Sequence, residues 1–308
     1  MSYESQMMKD FQMPKLNGVE DAIIVTLFKH NGLIKEFSSN QEIVHEIADK
    51  FSLSERQRNA YLETIYRKED RVKKSYLWHR LLFRAADILA KRKYITRPTD
   101  TYRLTGERAW MLTENGLKRA FFLLKLPVEN KDLLLTKTYE VQEVINKLSK
   151  AKRPEKYDPF ETKKPTISTY NTTIRKRGFR QAVIEVYDYR CAICGLKIKS
   201  PDSLMWEVQA AHIVPHSVNG KDDLWNGIAL CHLHHWAFDV GWFTVLDDYT
   251  VKVSTKYRSL LSGYGNFYDF NFIRELAMHE KKIILPKTDN FYPHPNSIKW
   301  HHENVFNK

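Results

Sequence analysis

Apolar residues recur at helical spacing through the N-terminal part of the chain. The pattern predicts helices over residues 21–30, 41–51 and 71–93, and a further helix starting at Ser52-Leu53-Ser54-Glu55. The first of these ends at Asn31-Gly32, and Ser39 or Asn40 is placed to cap the second. We therefore expect this part of the chain to fold as a mainly helical domain.

Two short apolar segments follow, Tyr94-Ile95 and residues 110–116, with a polar turn through Pro98-Thr99-Asp100 between them. Helices followed by such a two-stranded wing are typical of a winged-helix domain. The segments LAKRKYI (89–95) and WMLTENG (110–116), with Arg71-Val72 ahead of the long helix, resemble the N-terminal winged helix of Mrr-type restriction enzymes. The resemblance implies DNA recognition. A helical domain for dimerisation or support is the alternative.

The middle of the chain changes composition. Residues 133–149 continue the helical pattern, residues 150–173 are rich in Lys, Pro and Thr, and residues 175–189 again show helical spacing. Between Lys147 and Arg180, eleven basic residues against three acidic ones give a local charge of +8 out of a net charge of +12. Such a concentration favours a polyanionic partner, with a solvated linker as the alternative.

Cysteine use and hydropathy bear on the compartment. The three cysteines are an odd number, which does not suit a secreted disulfide framework. The N-terminus shows no secretory signal, and the apolar runs are too short to span a membrane. We therefore expect a cytoplasmic protein with no membrane partner.

All three cysteines fall into one metal-ligand pattern. Cys191-x2-Cys194 is followed by Cys231-x2-His234, which is the spacing of a structural zinc site with three cysteines and one histidine. Four protein ligands leave no open position on the ion, so this Zn2+ would hold the fold. His232 and His235 are alternatives to His234, which has the better spacing.

A second set of polar residues lies between and after the zinc ligands. Residues 206–214 read as a strand that Pro215 ends, residues 227–230 as a returning strand, and residues 231–240 as a helix. The motif AAHIVPHS…NGIALCHLHHWAFDVG resembles an HNH endonuclease domain, the ββα-metal fold. The resemblance runs from about residue 175 to the C-terminus and includes GWFTV (241–245) and the late KWH…VF.

Phosphodiester hydrolysis indicates a role for each of these residues. A neutral imidazole near pH 7 can take a proton from water, which makes His212 the candidate general base. His235 and Asp239 are spaced i, i+4, so both would face one Mg2+ or Mn2+ ion. The resemblance implies that Asn226 orients the His212 ring by bonding the backbone or the imidazole, and that the products are 5′-phosphate and 3′-hydroxyl ends.

One position departs from the family pattern. Many HNH domains carry Asp or His just before the general base, where it binds the ion, and here that residue is Ala211. Asp239, or substrate and water, would then complete the ligand shell. The start of the preceding helix supplies four bases that are candidate phosphate contacts: Arg175, Lys176, Arg177 and Arg180.

The predicted fold class is α+β: a winged-helix DNA-recognition domain (1–148), a basic linker (149–174) and a zinc-stabilised HNH nuclease domain (175–308). The resemblances imply a restriction endonuclease acting on double-stranded DNA, with dependence on a modified base left open. Cutting both strands with one metal site per chain suits a homodimer. A homing or nicking endonuclease, an RNA-cleaving enzyme and a non-cleaving zinc-stabilised DNA-binding regulator are the alternatives.

Overall fold

The computed structural model describes residues 3–66, 71–127, 134, 136–161, 169–255 and 281–307. Contacts divide the chain into two compact units of mixed α and β structure. One unit comprises residues 1–131 with 136–142, and the other comprises residues 132–135 with 143–308. Within the described part of the chain, no helix is both long enough and apolar enough to cross a membrane.

The N-terminal unit alternates helices with short strands. Its elements are α1 (Tyr3–Asp10), α2 (Leu16–Lys29), β1 (Leu33–Lys35), α3 (Gln41–Asp49), α4 (Glu55–Asn59), β2 (Tyr61–Tyr66), β3 (Arg71–Tyr76), α5 (Leu77–Lys91), β4 (Ile95–Thr96), α6 (Pro98–Thr105), β5 (Ala109–Leu112) and α7 (Glu114–Leu124). The strands β1, β5 and β4 form an antiparallel sheet in that order. Helix α2 packs against α5, α7 and β5. The predicted two-stranded wing is thus part of a three-stranded sheet.

Helices α3 and α4 both begin with a side-chain cap. Asn40 caps α3, its side chain accepting a hydrogen bond from the Ile43 N–H at 3.4 Å. Ser54 and Gln57 form a capping box at the start of α4. Of the two candidates for the second helix, Asn40 therefore makes the cap.

Two predicted elements in this unit are wrong. Residues 71–76 are not helical, because they pair as β3 with β2 in a hairpin, Tyr61 opposite Tyr76. The helix α5 starts only at Leu77, which is fully buried against Ala60 and Leu62. The polar turn predicted at residues 98–100 is the first turn of α6, since proline is favourable at a helix start.

The helix predicted from residue 133 begins later. Helix α8 spans Tyr139–Lys150, and the described residues 134 and 136–138 are not helical. Residue 133 lies outside the described part of the chain. The Thr138 hydroxyl accepts a hydrogen bond from the Val141 N–H at 3.4 Å, which places the helix start at Tyr139.

The C-terminal unit contains the predicted ββα unit. Its later elements are α9 (Thr169–Val186), β6 (Val208–His212), β7 (Gly227–Cys231), α10 (His232–Asp239), β8 (Phe243–Val245), β9 (Val251–Val253) and α11 (Pro295–His301). The strands β6 and β7 form an antiparallel hairpin, and α9 and α10 both pack on it. Gly227 leaves room for this packing, because a Cβ there would lie 2.5 Å from the side chain of Val183 on α9.

The segment predicted as an extended linker is partly packed. Arg153 donates from Nη2 to the Pro293 carbonyl at 3.0 Å, and Phe160 pairs with Gly220 in an isolated antiparallel bridge. Tyr157 is buried and donates from its hydroxyl to Asp223 Oδ1 at 2.6 Å. Residues 151–161 therefore belong to the C-terminal unit. Residues 162–168 of the predicted linker lie outside the described residues.

Candidate active site and metal centre

The β6–β7 hairpin separates the two polar sets along its length. His212 pairs with Gly227 at one end of the ladder, and Val208 pairs with Cys231 at the other. Helix α10 starts directly after Cys231 and packs back along both strands. The zinc ligands therefore gather at one end of the hairpin. Asp239, at the end of α10, lies close enough to His212 for the charge of His212 to affect the pKa of Asp239.

Cys191, Cys194, Cys231 and His234 form one cluster. Their four ligand atoms lie within 4.8 Å of one another. His234 Nδ1 is 2.9 Å from Cys231 Sγ and 3.7 Å from Cys191 Sγ. Tetrahedral ligands at 2.3 Å from zinc lie about 3.8 Å apart, so the cluster can hold a structural zinc ion. A metal ion bound there would require the cysteines as thiolates.

His212 is held by a carboxylate that the sequence patterns did not indicate. Its Nε2 lies 2.7 Å from Oδ1 of Asp222, whose side chain is only 2% exposed. The opposite carboxylate oxygen lies 2.7 Å from Nε of Arg175. The imidazole also stacks on Phe179, with ring centroids 4.2 Å apart and planes 19° apart. His212 is therefore fixed on its Nε2 edge and across one ring face.

Asp222 carries its charge in a largely buried position. Burial alone would raise the pKa of this carboxyl, but the hydrogen bond from His212 and the charge of Arg175 outweigh burial and lower the pKa. A carboxylate accepts and does not donate, so the His212 Nε2 carries the proton in this pair. The Nδ1 of a neutral His212 then carries the lone pair.

Asn226 acts on the backbone and not on the imidazole. It is fully buried, accepts from the Val214 N–H at 2.8 Å, and donates to the carbonyls of Val214 and Lys221 at 2.9 and 3.0 Å. These bonds close the loop between β6 and β7 immediately after His212. Gly220 is needed in the same loop, because a Cβ there would lie 1.8 Å from the Val214 carbonyl oxygen. Of the two predicted partners of Asn226, the structure shows the backbone.

His235 and Asp239 lie on one face of α10, as their spacing predicts. His235 Nε2 is 3.5 Å from Asp239 Oδ2, and His235 Nδ1 is 2.8 Å from Gln209 Oε1. Burial lowers the pKa of His235 and raises that of Asp239. The imidazole is thus kept neutral, the form that binds a metal ion. Ala211 is fully buried and offers no ligand.

The four bases at the start of the predicted helix do not form one exposed face. Lys176 is exposed, whereas Arg177 is only 5% exposed and already has an interaction partner. Arg175 is committed to Asp222 and Glu161. Arg180 lines a cleft of about 310 Å³ together with Lys199, Trp206, Gln209 and His232, among others. Helical spacing alone could not separate these environments, since α9 packs on β6 and β7.

The chain was compared with protein-family models, curated proteins and solved structures. Residues 191–246 match the HNH endonuclease family. A solved structure of the modification-dependent TagI restriction endonuclease matches with 20% sequence identity and a TM-score of 0.30. The alignment covers 46% of this chain and 44% of that chain, so less than half of either protein is matched. No curated protein sequence matches the chain. Residues 191–246 are an HNH endonuclease domain.

Proposed function

We propose that this protein is a DNA endonuclease of the restriction type that hydrolyses phosphodiester bonds in double-stranded DNA. The observation that carries the proposal is the Asp222–His212 pair inside the HNH domain, with His235 and Asp239 on the adjacent helix. A ring fixed by a buried carboxylate on one nitrogen is a general base that presents the other nitrogen to water.

His212 performs the proton transfer in this proposal. Its Nδ1 takes a proton from a water molecule while the water oxygen attacks the phosphorus. The bond from phosphorus to the 3′ oxygen breaks, its electron pair goes to that oxygen, and the oxygen takes a proton from solvent. The products are a 5′-phosphate and a 3′-hydroxyl. Asp222 stabilises the imidazolium that forms, and Arg175 keeps Asp222 ionised.

His235 and Asp239 would hold the divalent ion. Mg2+ or Mn2+, when bound, supplies positive charge to the phosphate oxygens and to the leaving oxygen. A nitrogen and a carboxylate oxygen 3.5 Å apart are close to the spacing of adjacent ligands of an octahedral ion, about 3 Å. Asp239 takes the place of the acidic or histidine ligand that Ala211 does not provide.

The N-terminal unit is proposed as a winged-helix DNA-recognition domain. The support is its order of elements, in which α2, β1, α3 and α5 precede the paired strands β4 and β5, with β1 on the other edge of β5. Helix α5 carries the partly exposed bases Arg80 and Arg84, which both form ion pairs with Glu4 in the free protein. DNA that carries a modified base is one of the proposed substrates. A homodimer is the proposed assembly, because two copies of the metal site could cut both strands.

The test is cleavage of supercoiled plasmid DNA, unmodified and cytosine-methylated, with Mg2+ or Mn2+. Wild type is compared with His212→Ala and with His30→Ala, a control that removes an exposed histidine in the N-terminal unit. We expect linear product from wild type and from His30→Ala, and none from His212→Ala.

The other outcomes separate the alternatives. Nicked circles without linear product would show that the protein is a nicking endonuclease and not a restriction enzyme. DNA that is bound tightly but never cut, under either ion and in either modification state, would contradict the nuclease. If the wild type cuts DNA, analytical ultracentrifugation of the same protein reports whether it is a dimer.

A further inference from the structure

We infer that Gln209 is a positioning residue that sets the tautomer of His235, through a chain of hydrogen bonds anchored at Glu207. The inference deepens the proposed function, because it assigns which nitrogen of His235 receives the divalent ion. It rests on side chains just before and at the start of β6 and in the first turn of α10.

Glu207 immediately precedes β6, and Gln209 is the second residue of that strand. Both side chains contact His232, the first residue of α10. Glu207 Oε1 accepts from the His232 N–H at 3.0 Å and lies 3.2 Å from His232 Nδ1. The carboxylate therefore binds His232 at two points and fixes its ring.

The direction of each hydrogen bond follows from this anchor. A carboxylate only accepts, so the proton of a neutral His232 is on Nδ1, and its Nε2 is an acceptor. Gln209 Nε2 lies 2.7 Å from His232 Nε2 and must donate to it. The other end of the same amide, Oε1, then faces His235 Nδ1 at 2.8 Å.

The hydrogen bond between Gln209 Oε1 and His235 Nδ1 determines the tautomer of His235. An amide oxygen only accepts, so His235 carries its proton on Nδ1 and its lone pair on Nε2. The lone pair is on the side of Asp239, whose Oδ2 lies 3.5 Å away. The chain Glu207–His232–Gln209–His235 therefore prepares the Nε2 nitrogen for a cation before any cation arrives.

The opposite orientation of the Gln209 amide would give the opposite result. The amide nitrogen would then donate to His235 Nδ1, the proton of a neutral His235 would be on Nε2, and that nitrogen would have no lone pair for an ion. With a neutral His232, Glu207 excludes this arrangement, since the His232 proton is on Nδ1 and Nε2 has none to donate to the amide oxygen.

The test measures the tautomer in the metal-free centre of the zinc-loaded protein. Long-range ¹⁵N–¹H correlation spectra of uniformly ¹⁵N-labelled protein report which ring nitrogen carries the proton, and His235→Gln identifies the signals. We expect His235 protonated on Nδ1 in wild type. Gln209→Leu should shift the ring towards a mixture of tautomers, and Gln209→Glu should preserve the wild-type tautomer because its carboxylate still accepts.

Metal affinity is the second readout, measured by titration calorimetry with Mn2+ alone. We expect Gln209→Leu to weaken Mn2+ binding about 10- to 100-fold and Gln209→Glu to retain it. Gln41→Leu, an exposed glutamine in the N-terminal unit, is the control for fold and zinc content.

Two results would overturn the inference. One is a wild-type His235 protonated on Nε2, and the other is a Gln209→Leu protein with wild-type tautomer and Mn2+ affinity. Neither readout needs DNA or turnover, so the inference fails or stands separately from the nuclease activity.

Discussion

Asp222 Oδ1 lies 2.7 Å from Nε2 of His212, at a carboxylate whose side chain is only 2% exposed. The pair joins the loop after β6 to the residue that ends β6. It also joins this end of the hairpin to α9, because Arg175 holds the other carboxylate oxygen. The candidate base is therefore oriented by two separate elements of the C-terminal unit.

Removing Asp222 should lower the rate of the chemical step. In Asp222→Ala the imidazole loses both the acceptor that orients it and the charge that stabilises its protonated form, and we expect single-turnover cleavage to slow about 10²-fold or more. Asp222→Asn, with its side-chain oxygen able to accept from Nε2, should slow cleavage less. The control is Asp202→Asn, an exposed carboxylate bonded to Ser200. Equal rates for wild type and Asp222→Ala would remove Asp222 from the mechanism.

The zinc cluster should be necessary for the folded C-terminal unit. Cys194→Ser should lower the bound zinc from about one ion per chain and destabilise the unit by several kcal/mol. Elemental analysis gives the zinc content, and thermal unfolding followed by circular dichroism gives the stability. Chelation of wild type should have the same effect and be reversed by Zn2+ but not by Mg2+. A chelated protein with unchanged unfolding would contradict the structural role.

His301 should make the stability depend on pH. The ring is buried, with Nδ1 2.9 Å from the Thr244 hydroxyl and Nε2 3.0 Å from the Phe238 carbonyl. Burial lowers its pKa to about 4. The unfolded chain therefore binds a proton first, near pH 6.5, so this contribution to stability is complete above that pH and is lost as the pH falls towards 4.

The expected loss is about 3 kcal/mol over that interval. Urea unfolding at a series of pH values measures it, with His301→Gln as the comparison, because a glutamine does not titrate. A variant with the same pH slope as wild type would assign the dependence to other groups.

Two adjacent bases on α9 should behave differently. Lys176 is exposed, so Lys176→Ala should weaken DNA binding and reduce the salt dependence by about one counterion. Arg177 is buried, so Arg177→Ala should lower the free energy of unfolding and leave the salt slope unchanged. Fluorescence anisotropy over a salt series, in the His212→Ala background, measures binding. A reduced slope for Arg177→Ala would place that side chain on the DNA.

Local patterns predicted the metal end of the site better than the catalytic end. The zinc ligands, the two strands and α10 could be read from spacing, because turn and helix geometry fixes neighbours a few residues apart. The role of Asp222 could not be predicted from spacing, because Asp222 and Asp223 are adjacent acidic residues in one loop. Their roles are separated by contacts with Arg175 and Tyr157, which are distant in sequence.

The same limit explains the errors in the N-terminal unit. Tyr76 continues the apolar spacing of α5 towards the N-terminus, so the pattern alone extends the helix into β3. Only pairing with residues 61–66 shows that the strand ends at Tyr76. The sequence predicts a turn at the start of α6 for a related reason, because Pro98, Thr99 and Asp100 suit a loop as well as the first turn of a helix.

His234 and His235 are consecutive residues of α10, yet one faces the cysteine cluster and the other faces Gln209. Neighbouring residues of an α-helix point about 100° apart, so the helix directs the two rings to different surroundings. The number of residues between Cys231 and Asp239 thus determines which side of α10 carries Asp239. A single residue inserted or deleted between His235 and Asp239 would rotate Asp239 by about 100° relative to His235, even with every loop intact.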